Sequence, residues 1–212
     1  MAPAVALVWD WANALGFLGL ATCLLLFVYA GRPRSSPPFS GRFFANLHRD
    51  LGYLALALVT GHVGLLLLSE PLLLEHLKSS APLYMLAGLG AAVLLLVLVF
   101  SSITGLRKRI WQDYHRFKWL HAVLAIACVA LIGWHVAGSR FYLNTSPKLA
   151  AGGLAVIGLM GYYLRRRLGR RPDIRRASRM RDTAGYSHAL SYGAVLLLSV
   201  IALAVVWLRL PE

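Results

Sequence analysis

The sequence has little charge, few acidic residues and almost no cysteine. Charged residues make up 14% of the 212 residues, hydrophobic residues make up 58%, and only 8 residues are Asp or Glu. A soluble domain cannot shield so much apolar surface from water, so this composition excludes an ordinary soluble protein and indicates a membrane protein. The two cysteines, Cys23 and Cys128, lie in apolar segments, which excludes a disulfide framework and a cysteine-based metal site.

The sequence also lacks a glycine-rich phosphate-binding loop between a strand and a helix. Dinucleotide-binding domains need such a loop. The connections between the apolar segments are too short to hold a second domain. We therefore expect one membrane domain over residues 1–212, and we expect that these residues do not oxidise NADH or NADPH by themselves.

Long apolar runs are what the chain has in abundance. Most of six runs can cross the ~30 Å hydrocarbon core of a bilayer, which predicts an all-α, polytopic membrane helical bundle of about six transmembrane helices. The fifth run is the weakest, because it spans only if its helix begins near Pro147. The first resembles a secretory signal, but no Lys or Arg precedes Gly31, so we interpret it as a retained helix. The runs are approximately Val5–Ala30, Phe43–Leu68, Leu83–Ile103, Trp119–Ala137, Leu149–Leu164 and His188–Leu208.

The net charge of +14 has a clear distribution along the chain. Eighteen of the 22 lysines and arginines fall in three loops, at residues 31–49, 103–118 and 165–187. Cytoplasmic loops of membrane proteins carry such an excess, so the pattern predicts that these loops are cytoplasmic and that both termini lie outside. Orientation explains the charge without a nucleic-acid partner. The basic face could also bind anionic membrane lipid or an acidic electron donor.

Four histidines repeat one spacing inside the apolar runs. His48 and His62 are 14 residues apart, and so are His121 and His135. At ~100° per residue, 14 steps bring a helix back to the same face, and at ~1.5 Å per residue they cover roughly 21 Å. Ionisable residues inside membrane helices are rare and usually functional. Two such helices would place two histidine pairs at two membrane depths, as two stacked haems require.

Three interpretations of these histidines remain open. Each imidazole could hydrogen-bond a neighbouring helix and have no ligand. The four could serve metal transport, although such sites favour ligands at one depth, often with carboxylates. Bis-imidazole ligation of two haems fits the repeated spacing best, since it fills both axial positions of each iron.

The order of the segments predicts how the histidines pair. The second and fourth runs are separated by one helix, so they run parallel, and His48 would pair with His121 on the inner side and His62 with His135 on the outer side. Haem propionates need cations near the interface. Each candidate could equally be an ordinary interfacial anchor. The inner candidates are Arg42, Arg49, Arg116 and Lys118, and the outer candidate is Arg140.

The stretches His48–His62, HRDLGYLALALVTGH, and Arg107–His135, RKRIWQDYHRFKWLHAVLAIACVALIGWH, resemble the ferric-reductase-like transmembrane cytochromes. This superfamily includes the membrane core of NADPH oxidases, metalloreductases and the membrane subunit of the bacterial periplasmic methionine sulfoxide reductase. The resemblance implies haem ligation by the four histidines and electron transfer across the membrane. Unlike the eukaryotic oxidases and reductases, the chain shows no fused flavin and nicotinamide domain.

The leading hypothesis is a di-haem b cytochrome of a bacterial cytoplasmic membrane. It would be an oxidoreductase component that takes electrons from a cytoplasmic flavoprotein reductase, with its flavin, and passes them to an outer-side acceptor or reductase. One alternative is a quinol-linked cytochrome b subunit that draws on the quinone pool. The other is a haem-free membrane scaffold or transporter.

Overall fold

The computed structural model describes residues 7–29, 40–69, 74, 78, 80–111, 113–140, 145–168 and 193. All regular structure in these ranges is helical, which confirms the predicted all-α class. Four helices are long and apolar enough to cross a membrane: α1 (Leu7–Val28), α2 (Gly41–Ser69), α3 (Leu83–Ser102) and α5 (Tyr114–Ser139). The other two are α4 (Thr104–Ile110) and α6 (Ser146–Leu168). The protein is therefore an integral membrane, polytopic helical bundle.

The fifth and sixth predicted runs have different outcomes. The fifth forms α6, and its helix begins at Ser146 with Pro147 in the first turn, where proline is well tolerated. It is not among the four helices with the length and apolarity of a membrane span. The sixth run, His188–Leu208, lies outside the described residues apart from Gly193.

The helix ends follow from capping residues. The Ser40 hydroxyl accepts a hydrogen bond from the Phe43 N–H at 3.2 Å and so caps the start of α2. The Asp113 carboxylate accepts one from the His115 N–H at 2.7 Å and begins α5. This cap starts the helix five residues before Trp119, where the apolar run begins. The predicted loop between the third and fourth runs thus contains α4 and the first turn of α5.

The chain divides into two compact units, residues 1–62 with 156–212 and residues 63–155. In the first unit, α1 packs on α2 through a buried cluster of Phe43, Phe44, Leu47 and Leu51, with Leu25, Leu26, Tyr29 and Leu54 against it. In the second unit, α3 packs along α5. Its buried residues Ala87, Ala91, Leu95 and Leu98 recur every three or four positions, as one helix face does.

Candidate functional site

The four predicted ligands lie on two uninterrupted helices. α2 carries His48 and His62, and α5 carries His121 and His135. All four side chains are half-buried. Within its own unit, α2 packs against α1 and α5 packs against α3.

The His62 imidazole is held by the backbone of α1. Its Nδ1 lies 2.7 Å from the carbonyl oxygen of Ala12. A carbonyl oxygen only accepts hydrogen bonds, so Nδ1 carries the proton and donates it. This fixes the tautomer of a neutral ring and leaves the lone pair on Nε2.

The His135 imidazole is held in the same way by α3. Its Nδ1 donates to the carbonyl oxygen of Tyr84 at 2.9 Å. The Tyr84 ring also lies beside the imidazole, with 6.4 Å between ring centroids. A Cβ added at Gly138, three residues further along α5, would overlap the Tyr84 side chain, so this glycine lets Tyr84 pack closely beside His135.

His121 is contacted by a hydroxyl rather than a carbonyl. Ser102 Oγ donates its one hydrogen to the Leu98 carbonyl at 2.6 Å and lies 3.4 Å from His121 Nδ1. Because the hydroxyl hydrogen points to that carbonyl, this geometry favours the oxygen as acceptor toward Nδ1, which is the tautomer found in His62 and His135. The buried Phe117 ring packs beside the imidazole, with 5.3 Å between centroids.

His48 lies on α2 between Leu47 and Leu51 of the buried cluster. Its imidazole lies near the backbone of Leu26 on α1 and of Tyr29, the residue after α1 ends. The neighbouring core is aromatic, with the Tyr29 and Phe44 rings stacked at 6.2 Å. Three of the four predicted ligands, His62, His121 and His135, are therefore contacted through Nδ1 by a helix other than their own.

This arrangement matches what a metal-ligating histidine requires. Such a residue almost always donates its other ring N–H to a carbonyl, carboxylate or water, which fixes the ring and raises the basicity of the ligating nitrogen. His62, His121 and His135 meet that condition through Nδ1. Among the described residues, no group of three or more His, Cys, Asp or Glu side chains comes together as a metal cluster.

The predicted propionate cations are at the surface. Arg49 Nε lies 3.5 Å from Asp50, and Arg116 Nε lies 3.6 Å from Asp113, with the arginine side chains 53% and 85% exposed. Arg140 is exposed and ends α5 in the left-handed conformation, with φ of 52°. All three side chains are therefore accessible from outside the protein.

One hollow lies at the start of α5. Its volume is about 440 Å³, and it is open to the surface. Aromatic and hydrogen-bonding side chains line it, namely Trp111, His115, Arg116, Trp119 and Leu120.

Sequence reasoning missed the residues that orient the ligands. Ala12, Tyr84 and Ser102 lie on the first and third apolar runs, which carry no predicted site residue. Two interior glycines, Gly16 and Gly88, were a signal in the sequence, because glycine is unfavourable inside a helix and calls for a reason. The sequence pattern, however, does not predict which histidine of another helix such a glycine contacts.

Comparison with known proteins supports the resemblance drawn from the motifs. The model of the ferric reductase like transmembrane component family matches residues 15–132, more than half of the chain. The match contains His48, His62 and His121 and ends three residues before His135. No match was found among curated proteins or solved structures. With its apolar helices and this match, the chain belongs to the ferric reductase-like transmembrane family and is a membrane electron-transfer component.

Proposed function

We propose that the chain is a di-haem b cytochrome that carries electrons across a bacterial cytoplasmic membrane. The observation that carries the proposal is the common tautomer of His62, His121 and His135. In each, Nδ1 donates to a neighbouring helix, so the lone pair is on Nε2. Axial ligation of haem iron by imidazole uses such a lone pair.

The proposed pairing is His48 with His121 at the inner haem and His62 with His135 at the outer haem. It rests on the 14-residue spacing on both helices and on their parallel direction, with one membrane helix between them. A crossed pair would have to bridge roughly 21 Å, which no single haem iron can do.

The protein's own residues position, shield and neutralise the ligand. The backbones of α1 and α3 orient the imidazoles, and buried rings such as Phe117 exclude water beside them. Arg49 and Arg116 would neutralise inner propionates, and Arg140 outer ones. Haem held by these four histidines would supply one-electron chemistry.

The proposed direction of transfer is from the cytoplasm outward. The basic loops would be cytoplasmic and both termini outside. A cytoplasmic flavoprotein with an acidic surface is the proposed donor, since the basic loops would attract it. The acceptor is an outer-side electron carrier or reductase.

A quinol donor is the second candidate, and the hollow at the start of α5 favours it. Two indole rings and a leucine give the hollow a mostly apolar lining that can pack a flat ring, and His115 and Arg116 are at the same hollow. A water-soluble quinol analogue that reduces the purified protein would support this donor. Substituting Trp119→Ala should then slow that reduction without removing haem.

The main test is the purified, detergent-solubilised full chain. A reduced-minus-oxidised spectrum of the haem b type, with two haems per chain and two redox transitions, is the expected result. A colourless preparation would instead support a haem-free scaffold or transporter. One haem per chain at full loading, with one transition, would refute the two-site proposal.

A further inference from the structure

Gly16 of α1 and Gly88 of α3 both lie against a predicted ligand. A Cβ added at Gly16 would lie 2.9 Å from His62 Nδ1, and one added at Gly88 would lie 2.6 Å from His135 Nδ1. Both distances are too short for a carbon atom beside a ring nitrogen. Any other residue at these positions would therefore push the imidazole away.

The two glycines stand in the same relation to the carbonyl that holds the ring. His62 donates to the carbonyl of Ala12, four residues before Gly16. His135 donates to the carbonyl of Tyr84, four residues before Gly88. A helical side chain covers the turn before its own Cα, so a side chain at either glycine would cover that carbonyl. With glycine there, the carbonyl can accept from the imidazole as well as from its helical N–H, because it has two lone pairs.

Other interior glycines of α1, α2 and α3 have different neighbours. A Cβ at Gly19 would meet Val59 at 3.1 Å, one at Gly61 would meet Leu15 at 3.1 Å, and one at Gly90 would meet Leu131 at 3.6 Å. These contacts are with aliphatic side chains, as expected where small residues let two helices approach. Gly16 and Gly88 differ because the group they admit is an imidazole.

We propose that Gly16 and Gly88 are positioning residues for the two outer ligands. They expose the carbonyls of Ala12 and Tyr84, and so fix the orientation and proton position of His62 and His135. The anchoring is a property of the polypeptide; its effect on haem rests on the proposed function. A strong Nδ1–H···O=C bond makes imidazole a better electron donor to iron, which favours the ferric state. Weakening it should raise the midpoint potential of the outer haem.

The test compares four alanine variants of the full chain in detergent. Gly16→Ala and Gly88→Ala should each raise the midpoint potential of one haem, the same haem in both, or lower its occupancy. The low-spin ferric EPR signal of that haem should shift. The controls are Gly90→Ala, next to Gly88 on α3, and Gly64→Ala, whose Cβ would meet no atom within 4 Å. Both should leave the two potentials and the EPR signals unchanged.

Three results would separate the possible failures. Equal behaviour of all four variants would overturn the positioning role and favour simple helix packing. A shift of one haem by Gly16→Ala and of the other by Gly88→Ala would support the anchoring and refute the pairing of His62 with His135. A colourless wild-type protein would refute the proposed function, and the anchoring would then be judged on haem-free protein.

A second measurement is ¹⁵N NMR of histidine-labelled, haem-free protein, and its wild-type spectrum tests the proposal without any variant. In the wild type, His62 and His135 should carry the proton on Nδ1. In Gly16→Ala the His62 signal, and in Gly88→Ala the His135 signal, should move toward a mixture of tautomers. A wild-type protein with both protons on Nε2 would overturn the proposal.

Discussion

The helix pairs α1–α2 and α3–α5 hold His62 and His135 alike, and His48 and His121 differently. A backbone carbonyl accepts from Nδ1 of His62 at 2.7 Å and from Nδ1 of His135 at 2.9 Å. His121 instead has a serine hydroxyl at 3.4 Å, while His48 lies near the backbone of Leu26 and Tyr29. His62 and His135 are thus held by the main chain, and His121 by a replaceable side chain.

The largest effect should come from removing a ligand. His62→Leu or His135→Leu should each halve the haem content by removing the outer haem, and His48→Leu or His121→Leu should remove the inner one. The reason is that a bis-imidazole iron needs both ligands within bonding distance. Transfer across a vesicle membrane should stop in all four variants. Each variant is measured by haem assay, spectrum and redox titration. Depletion of the same haem by His48→Leu and His135→Leu would show that the pairing is wrong.

A smaller effect should follow from Ser102→Ala. Losing the acceptor at His121 Nδ1 should raise the potential of the inner haem by less than about 60 mV, since a hydrogen bond contributes ~0.5–1.5 kcal/mol. The outer haem should keep its potential. Ser101→Ala is the matched control, because the Ser101 hydroxyl donates to the Leu98 carbonyl at 3.3 Å. The measurement is redox titration. If both variants have the same inner-haem potential, Ser102 does not affect the inner haem.

Removal of the surface cations should have a still smaller effect. Arg116→Gln should lower the inner potential and Arg140→Gln the outer one, each on the order of 20 mV, because exposed charges interact weakly. The shifts should shrink as salt rises. Lys108→Gln on α4 serves as control. Redox titration of each variant at low and high salt measures the shift in potential and its salt dependence. Shifts that do not change with salt would argue against a direct charge interaction.

The smallest effect concerns stability and separates the charge of Arg140 from its backbone. A non-glycine residue with φ of 52° is strained, so Arg140→Gly should stabilise the protein by up to ~1 kcal/mol. Arg140→Gln keeps the strain and should not. Thermal unfolding in detergent measures the difference. If both variants lower the outer potential equally while only the glycine variant is stabilised, the two roles of the residue are independent.

The sequence predicted the helices well, because apolar length alone determines what can span a bilayer. The predicted run Leu83–Ile103, for example, forms α3, which begins at the predicted residue and ends one residue earlier than predicted. The first turn of α5 was missed, since Asp113 and His115 form a cap in a polar loop that the apolar pattern does not reach. The short α4 was missed for the same reason.

Of the candidate site, the sequence marks only the four histidines. The 14-residue repeat marks His48, His62, His121 and His135 because periodicity places residues on one helix face. It cannot say which carbonyl or hydroxyl lies beside each ring, because that depends on the packing of a second helix. Ala12 and Tyr84 act through backbone atoms, which any residue type has, so their roles cannot be read from the sequence. The positions of Gly16 and Gly88 do require glycine, but the chain has 19 glycines and the sequence does not single these two out.

The hydrogen bonds from Nδ1 to the main chain also affect how electron transfer would depend on the membrane voltage. When Nε2 binds iron and Nδ1–H is held by a carbonyl, both ring nitrogens of His62 and His135 are engaged and neither can relay a proton. On the proposed function, an electron that passes these two histidines takes no proton through them and carries net charge. Between the depths of His48 and His62, about two thirds of the hydrocarbon core, each electron would gain ~1.5 kcal/mol per 100 mV from a membrane that is negative inside. Outward transfer would thus be driven by that voltage and would discharge it.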